Sequence, residues 1–411
     1  MITGMGAVTP VGLTMQESWA AVKAGACGIA PITQYDPAAQ KVKLAAEVKG
    51  FEPEKTMNKA EARRMSRFIQ FAVAAAKEAM RDAEIDRTGL DPDRCGVIIS
   101  SGIGGQTATV CEQLRGMERG FDKVSPYYVP AAISNMAAGQ IAIDAGFTGM
   151  CTCPVTACAG GSNAVGDAFR YIRDGYAEVM LCGGTEACIC PLGIGGFTSM
   201  KALTQAEDAS RASIPFDAER SGFVMGEGAG VLLLEEMEHA VARGAKIYAE
   251  VVGYGATCDA YHMTAPAPGG AGGAKAMRMA LEDGHVAAEE IQYINAHGTS
   301  TPLNDAGETQ AVKTVFGAHA YKLMMSSTKS MTGHMLGASG AVEAAFTAMA
   351  LRDGFAPATI NYKVKDENCD LDVVPNQGRE ADIRYAMSNS LGFGGHNASL
   401  VFKKWEETSC S

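Results

Sequence analysis

Apolar residues recur along this chain in short runs that end in glycine-rich turns. Six stand out: Gly96–Gly102 (GVIISSG), Glu178–Gly184 (EVMLCGG), Gly230–Leu234 (GVLLL), Tyr248–Gly253 (YAEVVG), Ile291–His297 (IQYINAH) and Tyr385–Ser390 (YAMSNS). Their shortness and nearly unbroken apolarity predict buried strands. Between them lie Ala-rich stretches with helical spacing, such as Phe68–Ala76 and Gly340–Leu351. Strands alternating with helices predict an α/β fold whose sheet is mostly parallel and covered by helices on its faces. The segments VTACAGGSNAVGDAF and TKSMTGHMLGASGAVEAAF echo each other, each leading through a small-residue turn into an Ala/Gly helix, as two related α/β halves would. No low-complexity linker separates the halves, so they are expected to form one compact body. The stretches near 104–150 and 191–225 are expected to be insertions that cap a site.

Composition agrees with a globular α/β chain. Its 411 residues allow two or three units of roughly 150 residues each. Hydrophobic residues make up 47%, charged residues 20%, and the 48 glycines suit tight strand-to-helix turns. A net charge of −11 excludes a general nucleic-acid or membrane-surface binder, which needs a dominant positive field. The longest apolar run, VMLCGGTEACICPLGIGG, is interrupted by Glu186 and by glycines and does not read as a membrane span. Twelve cysteines spread over a long chain with no secretory leader point to a reducing, cytoplasmic setting.

Candidate chemistry begins with those thiols. Cys151-x-Cys153 and Cys188-x-Cys190 lack zinc-site spacing and read as buried inert residues. Cys158 differs, because it lies between a strand-like run and Ala-Gly-Gly-Ser-Asn-Ala, at a helix start. There the dipole and free N–H groups are expected to lower the thiol's pKa and to hold an oxyanion. On its own this position leaves a nucleophile and an inert thiol equally open. His297, at the end of an apolar strand, and His334, on a Gly-containing turn before a helix, favour a site. His239, His285 and His319 read as solvated, and His262 and His396 as less site-like. Lys329 needs an acidic partner if buried, and Glu308 is the expected one, with Asp305 beside it. A His–Glu metal site is disfavoured because no ligand spacing such as HExxH occurs. Gly102–Gly105 lacks the Lys-Ser/Thr of a P-loop.

Four separated motifs, VTACAGG, NAHGTSTPLNDAGE, STKSMTGHMLGASG and SNSLGFGGHNASLVF, together resemble the β-ketoacyl-acyl carrier protein synthases, most closely the elongating synthase II type of fatty-acid synthesis. The likeness runs from ITGMGAVTPVG to LVFKKW. It implies a thiolase-like αβαβα layered fold of two related halves, residues 1–245 with the nucleophile and 246–411 with both histidines, assembled as a homodimer. It further implies that Cys158 carries the acyl chain while the N–H groups of Cys158 and Phe393 form the oxyanion hole. His297 and His334 would donate to the malonyl thioester during decarboxylation, with Lys329 beside them and Glu308 and Asp305 supporting the site. Thr299 and Thr301 match positions that bind the pantetheine arm, and Phe197 and Phe393 positions that line the acyl tunnel and gate. Ordinary core packing competes as an account of Phe197. No metal or other cofactor is implied. The implied partner is acyl carrier protein, whose acidic surface a cluster of Lys59, Arg63, Arg64, Arg67 and Lys201 could dock. A solvated helix face explains the first four equally well. Leu391 replaces a frequent aromatic residue and His396 a frequent Thr, which bears on chain length and the gate. A polyketide ketosynthase shares the catalytic residues, whereas a non-catalytic chain-length partner would typically lack Cys158.

Overall fold

The computed structural model describes residues 1–406. Ten strands form its main sheet: β1 (Ile2–Val8), β2 (Cys95–Ser100), β3 (Cys151–Thr152), β4 (Val179–Glu186), β5 (Gly228–Glu235), β6 (Ala249–Cys258), β7 (Tyr293–Asn295), β8 (Met324–Ser326), β9 (Tyr385–Gly392) and β10 (His396–Lys404). The helices that matter for the site are α1 (Arg67–Asp82), α2 (Gln106–Arg119), α3 (Met136–Ala145), α4 (Gly160–Arg173), α5 (Pro191–Ser199), α6 (Ala271–Asp283), α7 (Pro302–Phe316), the single turn α8 (Lys329–Thr332) and α9 (Ser339–Asp353).

The strand order is β8-β7-β9-β10-β6-β1-β5-β4-β2-β3. Its two five-strand halves meet where β1 pairs with β6 through Ile2 and Ala249 alone. Contrary to the expectation of a mostly parallel sheet, pairing is parallel only among β8, β7 and β9 and among β4, β2 and β3. The five central pairs run antiparallel. One cause is the turn Phe393–Gly395, which is too short for a crossover and so folds β10 back along β9. Gly394 and Gly395 adopt φ of 85° and 74° there, a conformation glycine reaches without strain.

Helices complete the layers. On the outside, α1 and α3 cover the first half-sheet, and α6 with α7 covers the second. Between the halves lie α4 and α9, the two echoed segments, each touching strands of both. Every residue of α9 from Ser339 to Leu351 is buried, as its apolar circumference requires. Small residues let the pair approach closely: a Cβ on Gly161 would lie 2.6 Å from the Ala341 nitrogen. These α, β, α, β and α layers match the expected thiolase-like arrangement.

Of the two expected capping segments, only the later one reaches the site. Residues 191–225 supply α5 and Phe223, whereas none of residues 104–150 lines the cavity described below. That earlier stretch instead exposes Leu114, Met117, Phe121, Val129 and Ile133. Among the described residues, no helix is long and apolar enough to cross a membrane.

Candidate active site

A short 3-10 turn, Ala157–Ala159, presents Cys158 just ahead of α4. Ala157 holds φ at 50°, a left-handed conformation costly for a residue with a Cβ and of the kind that clusters at functional sites. The β9–β10 turn closes over this thiol so tightly that a Cβ on Gly392 would lie 3.1 Å from the Cys158 nitrogen. The backbone N–H groups of Phe393 and of Cys158 itself both face the sulfur. Burial pushes the thiol up to about 12, against the opposing pull of the Lys329 ammonium and the Phe393 N–H. The expected lowering at the helix start is therefore overturned, because desolvation outweighs the Lys329 charge and the two N–H groups, and the resting sulfur keeps its proton.

His297, on the turn after β7, and His334, just after α8, meet edge to face, with ring centroids 5.3 Å apart and planes at 86°. Phe223 packs edge-on against His334 at 5.2 Å. Both rings are 2% exposed. Burial, then the Lys329 charge, holds each well below the ordinary imidazole range, so both are neutral at pH 7. Nδ1 of His334 lies 3.0 Å from Ser339 Oγ, which already accepts the Met335 N–H. The serine's own proton is thus available to Nδ1, an arrangement that puts the imidazole proton on Nε2. A ligand atom from each of Cys158, His297 and His334 lies within 4.8 Å of the other two.

The charged support differs from expectation. Lys329 Nζ pairs with Glu343 on α9, not with Glu308. Glu308 instead accepts the backbone N–H groups of His297 and Gly298, both at 2.8 Å, and so holds the turn that carries His297. Burial raises both carboxyls to about 7. Asp305 accepts the Phe216 N–H and faces Arg220. Glu186 accepts N–H groups from Gly102, Ile103 and Gly337, tying the loop after β2 to the start of α9. Glu343, Ser339 and Glu186 were missed as site residues. The signal for Glu343 and Glu186 was a lone acid in an apolar run, which needs a buried partner. Asn295 Oδ1, Glu343 Oε2 and Ser388 Oγ are buried without hydrogen-bond partners among the described residues. Asn295 and Ser388 are neighbours across β7 and β9.

A cavity of about 390 Å³ opens over the sulfur. Thr299, Thr301, Phe197, Phe393, Leu391 and Lys201 line it together with both histidines. The two threonine hydroxyls are 2.9 Å apart. Phe197 stacks at a tilt on Phe393 with centroids 6.1 Å apart, so its ring belongs to the cavity wall as well as the core. Lys59, Arg63 and Arg64 are exposed but do not line the cavity. Arg67 is committed inward to the buried Glu227 through two nitrogens and is not a free surface charge. His396 faces Gly394 within the turn. Cys188 and Cys190 are buried as expected, whereas Cys151 is exposed on the edge strand β3 and Cys153 is half-buried. His239, bonded to Glu235, and His319, bonded to the Ile291 carbonyl, are half-buried, not solvated.

Two outcomes follow from the buried charges. Glu343→Ala strands the Lys329 ammonium and should cost roughly 3–5 kcal/mol in unfolding free energy, while Lys329→Met/Glu343→Leu should recover most of that loss. Denaturant melts of the three proteins read this directly. The second outcome concerns acid. Because the folded rings of His297 and His334 resist protonation, their stabilising contribution is full above pH 6.5 and drains away as pH falls toward their depressed values. Each ring should contribute a slope of up to about 1.4 kcal/mol per pH unit. Glu308 and Glu343, with raised pKa values, act with the opposite sign between about 4.5 and about 7. The comparison is therefore between the wild type and His297→Asn/His334→Asn, whose denaturant midpoint should fall less steeply from pH 7 to pH 5.5.

Residues 1–240 match the family described as "Beta-ketoacyl synthase, N-terminal domain" and residues 248–363 its C-terminal domain. The chain is 50% identical over 407 residues to 3-oxoacyl-[acyl-carrier-protein] synthase 2 of Synechocystis sp., covering 99% of this chain and 98% of that protein. It is also 50% identical over 406 residues to the protein of the same name from Staphylococcus aureus strain N315, with the same coverage. A solved structure of a type II PKS acyl-carrier protein in complex with its ketosynthase bound to the hexaketide superposes with a TM-score of 0.91 at 35% identity, covering 98% of each chain.

Proposed function

The chain belongs to the β-ketoacyl synthase family, and from that premise we propose that it condenses an acyl-acyl carrier protein with malonyl-acyl carrier protein, lengthening a fatty acid by two carbons. The observation that carries this reading is the meeting of Cys158, His297 and His334, from three separate motifs, beneath one largely apolar cavity.

In the first half-reaction Cys158 attacks the acyl thioester. The developing oxyanion is held by the N–H groups of Cys158 and Phe393, which already point at the sulfur. The thiol proton ends on the departing pantetheine sulfur, leaving acyl-Cys158. In the second, the malonyl thioester carbonyl accepts from His297 and His334, which stabilise the enolate as carbon dioxide departs. A neutral donor suits this task, and Ser339 favours the proton on His334 Nε2. The enolate carbon attacks acyl-Cys158, the carbon–sulfur bond breaks, and the Cys158 thiolate takes one proton from solvent. Lys329 acts through its charge on the two rings, while Glu308, Glu343 and Asp305 hold the surrounding turns.

Thr299 and Thr301 hold the pantetheine arm, and Phe197 with Phe393 gates the acyl chain. Lys201, on the cavity rim, together with the exposed Lys59, Arg63 and Arg64, meets an acidic carrier protein. The chain divides after residue 245 and works as a cytoplasmic homodimer. The exposed apolar side chains of α2 and the adjoining 121–133 segment favour the dimer, being a surface a monomer would leave wet. A ketosynthase of a type II polyketide pathway is the second reading, favoured by the likeness to the hexaketide-bound ketosynthase. A condensation assay with malonyl-carrier protein and acyl-carrier proteins of graded length separates them. Turnover of saturated acyl chains supports the fatty-acid reading; turnover of poly-β-keto chains alone supports the other.

A further inference from the structure

We infer that Cys158, His297 and His334 also form a binding site for one thiophilic divalent cation of the zinc type, and that its occupancy blocks the enzyme reversibly. The cation binding is independent of the condensing reaction; only the blocking consequence rests on the function proposed above.

The donor set is one thiol and two imidazoles, the soft and borderline ligands that such a cation selects. Their ligand atoms lie within 4.8 Å of one another. With metal–sulfur bonds of about 2.3 Å and metal–nitrogen bonds of about 2.0–2.1 Å, tetrahedral ligation needs separations of roughly 3.3–3.6 Å. The widest pair must close by about 1.2–1.5 Å, which a shift of under about 1 Å by each of two side chains toward the cavity supplies. His334 meets the cation through Nε2, so the proton that Nε2 carries in the resting site exchanges to Nδ1, where Ser339 Oγ, 3.0 Å away, accepts its hydrogen bond. Two further features orient the rings. Ser339 holds His334 from behind, where the far nitrogen of a metal-binding histidine finds its partner, and Glu308 holds the backbone N–H groups of His297 and Gly298. Nδ1 of His297 is buried and has no partner among the described residues.

The Lys329 ammonium, whose charge acts on both rings, opposes a cation, and it is paired with Glu343. The six-coordinate hydrated cation sheds five of its waters to the cavity. The Cys158 S–H bond breaks as the sulfur–metal bond forms, the proton passes to bulk water, and no electron changes hands. One water stays in the fourth position. With its sulfur so engaged, Cys158 cannot attack a thioester, so cation and acyl group exclude each other.

Cobalt(II) titration of the full-length protein under anaerobic conditions tests the site without relying on activity. One equivalent should bind with a thiolate-to-cobalt charge-transfer band and tetrahedral visible bands, both erased by added zinc. Cys158→Ala should lose the charge-transfer band, and His297→Ala or His334→Ala should weaken binding at least tenfold. Circular dichroism checks that each variant is folded, and wild-type protein alkylated at Cys158 provides the same readout without a substitution. Zinc should prevent acylation by acyl-carrier protein, and chelation should restore it. An unchanged band in Cys158→Ala would place the metal at another thiol, such as the exposed Cys27, Cys111, Cys151 or Cys258, and overturn the proposal. So would the absence of a stoichiometric band. If cobalt binds as described while no acyl chain is elongated, the cation site stands and the condensing reading falls.

Discussion

Cys158→Ala protein incubated with acyl-carrier protein should show no mass increase, and its condensation rate should fall on the order of 10⁴-fold or more, the scale of losing a covalent nucleophile. The substitution is structurally mild. Cys158 is a small side chain at the edge of a hydrophobic cluster, and Ala keeps the 3-10 turn, so the fold and the histidine pair should survive. Decarboxylation of malonyl-carrier protein provides the internal control. That half-reaction uses His297 and His334 and no sulfur, and it should persist in the variant. A mass spectrum with the acyl adduct still present would move the nucleophile to another of the free thiols.

The histidines should give the complementary result. His297→Ala and His334→Ala should each accept an acyl group within about tenfold of the wild-type rate, yet lose roughly 10²–10³ in malonyl decarboxylation, the usual loss for one preorganised donor to an oxyanion. Each leaves a hole beside Phe223 or Lys329, so a generalised loosening of the site is the competing explanation. His→Asn separates the two, because the amide still donates. A decarboxylation rate partly restored by Asn over Ala, with acylation unchanged, identifies the lost hydrogen bond as the cause. Equal loss of acylation and decarboxylation would instead mark a structural role.

Much of this site was legible in the sequence because its chemistry sits on turns. Small residues around Cys158 and His334, and the Gly-rich stretch after Leu391, mark places where backbone must approach backbone, and the structure brings all three together. What pattern could not show was set by packing between distant segments. Lys329 has Glu308 near in sequence, but its partner Glu343 is chosen by the way α9 lies between the half-sheets. The sign of the Cys158 shift was missed because a helix start is visible locally whereas burial is not. Arg67 looked like part of a surface cluster because nothing nearby in sequence reveals that Glu227 draws it inward. Sheet direction was missed for a similar reason. SLGFGGHNASLVF contains a hairpin, and its glycine turn sends β10 antiparallel where strand–helix alternation suggested parallel.

The most direct test is a two-step mass measurement on the wild-type enzyme. Incubation with acyl-carrier protein alone should add one acyl group, located on the Cys158 peptide. A chase with malonyl-carrier protein should then remove it, release one carbon dioxide and yield a β-ketoacyl-carrier protein two carbons longer. An enzyme that never acquires the adduct, or holds it unchanged through the chase, contradicts the account.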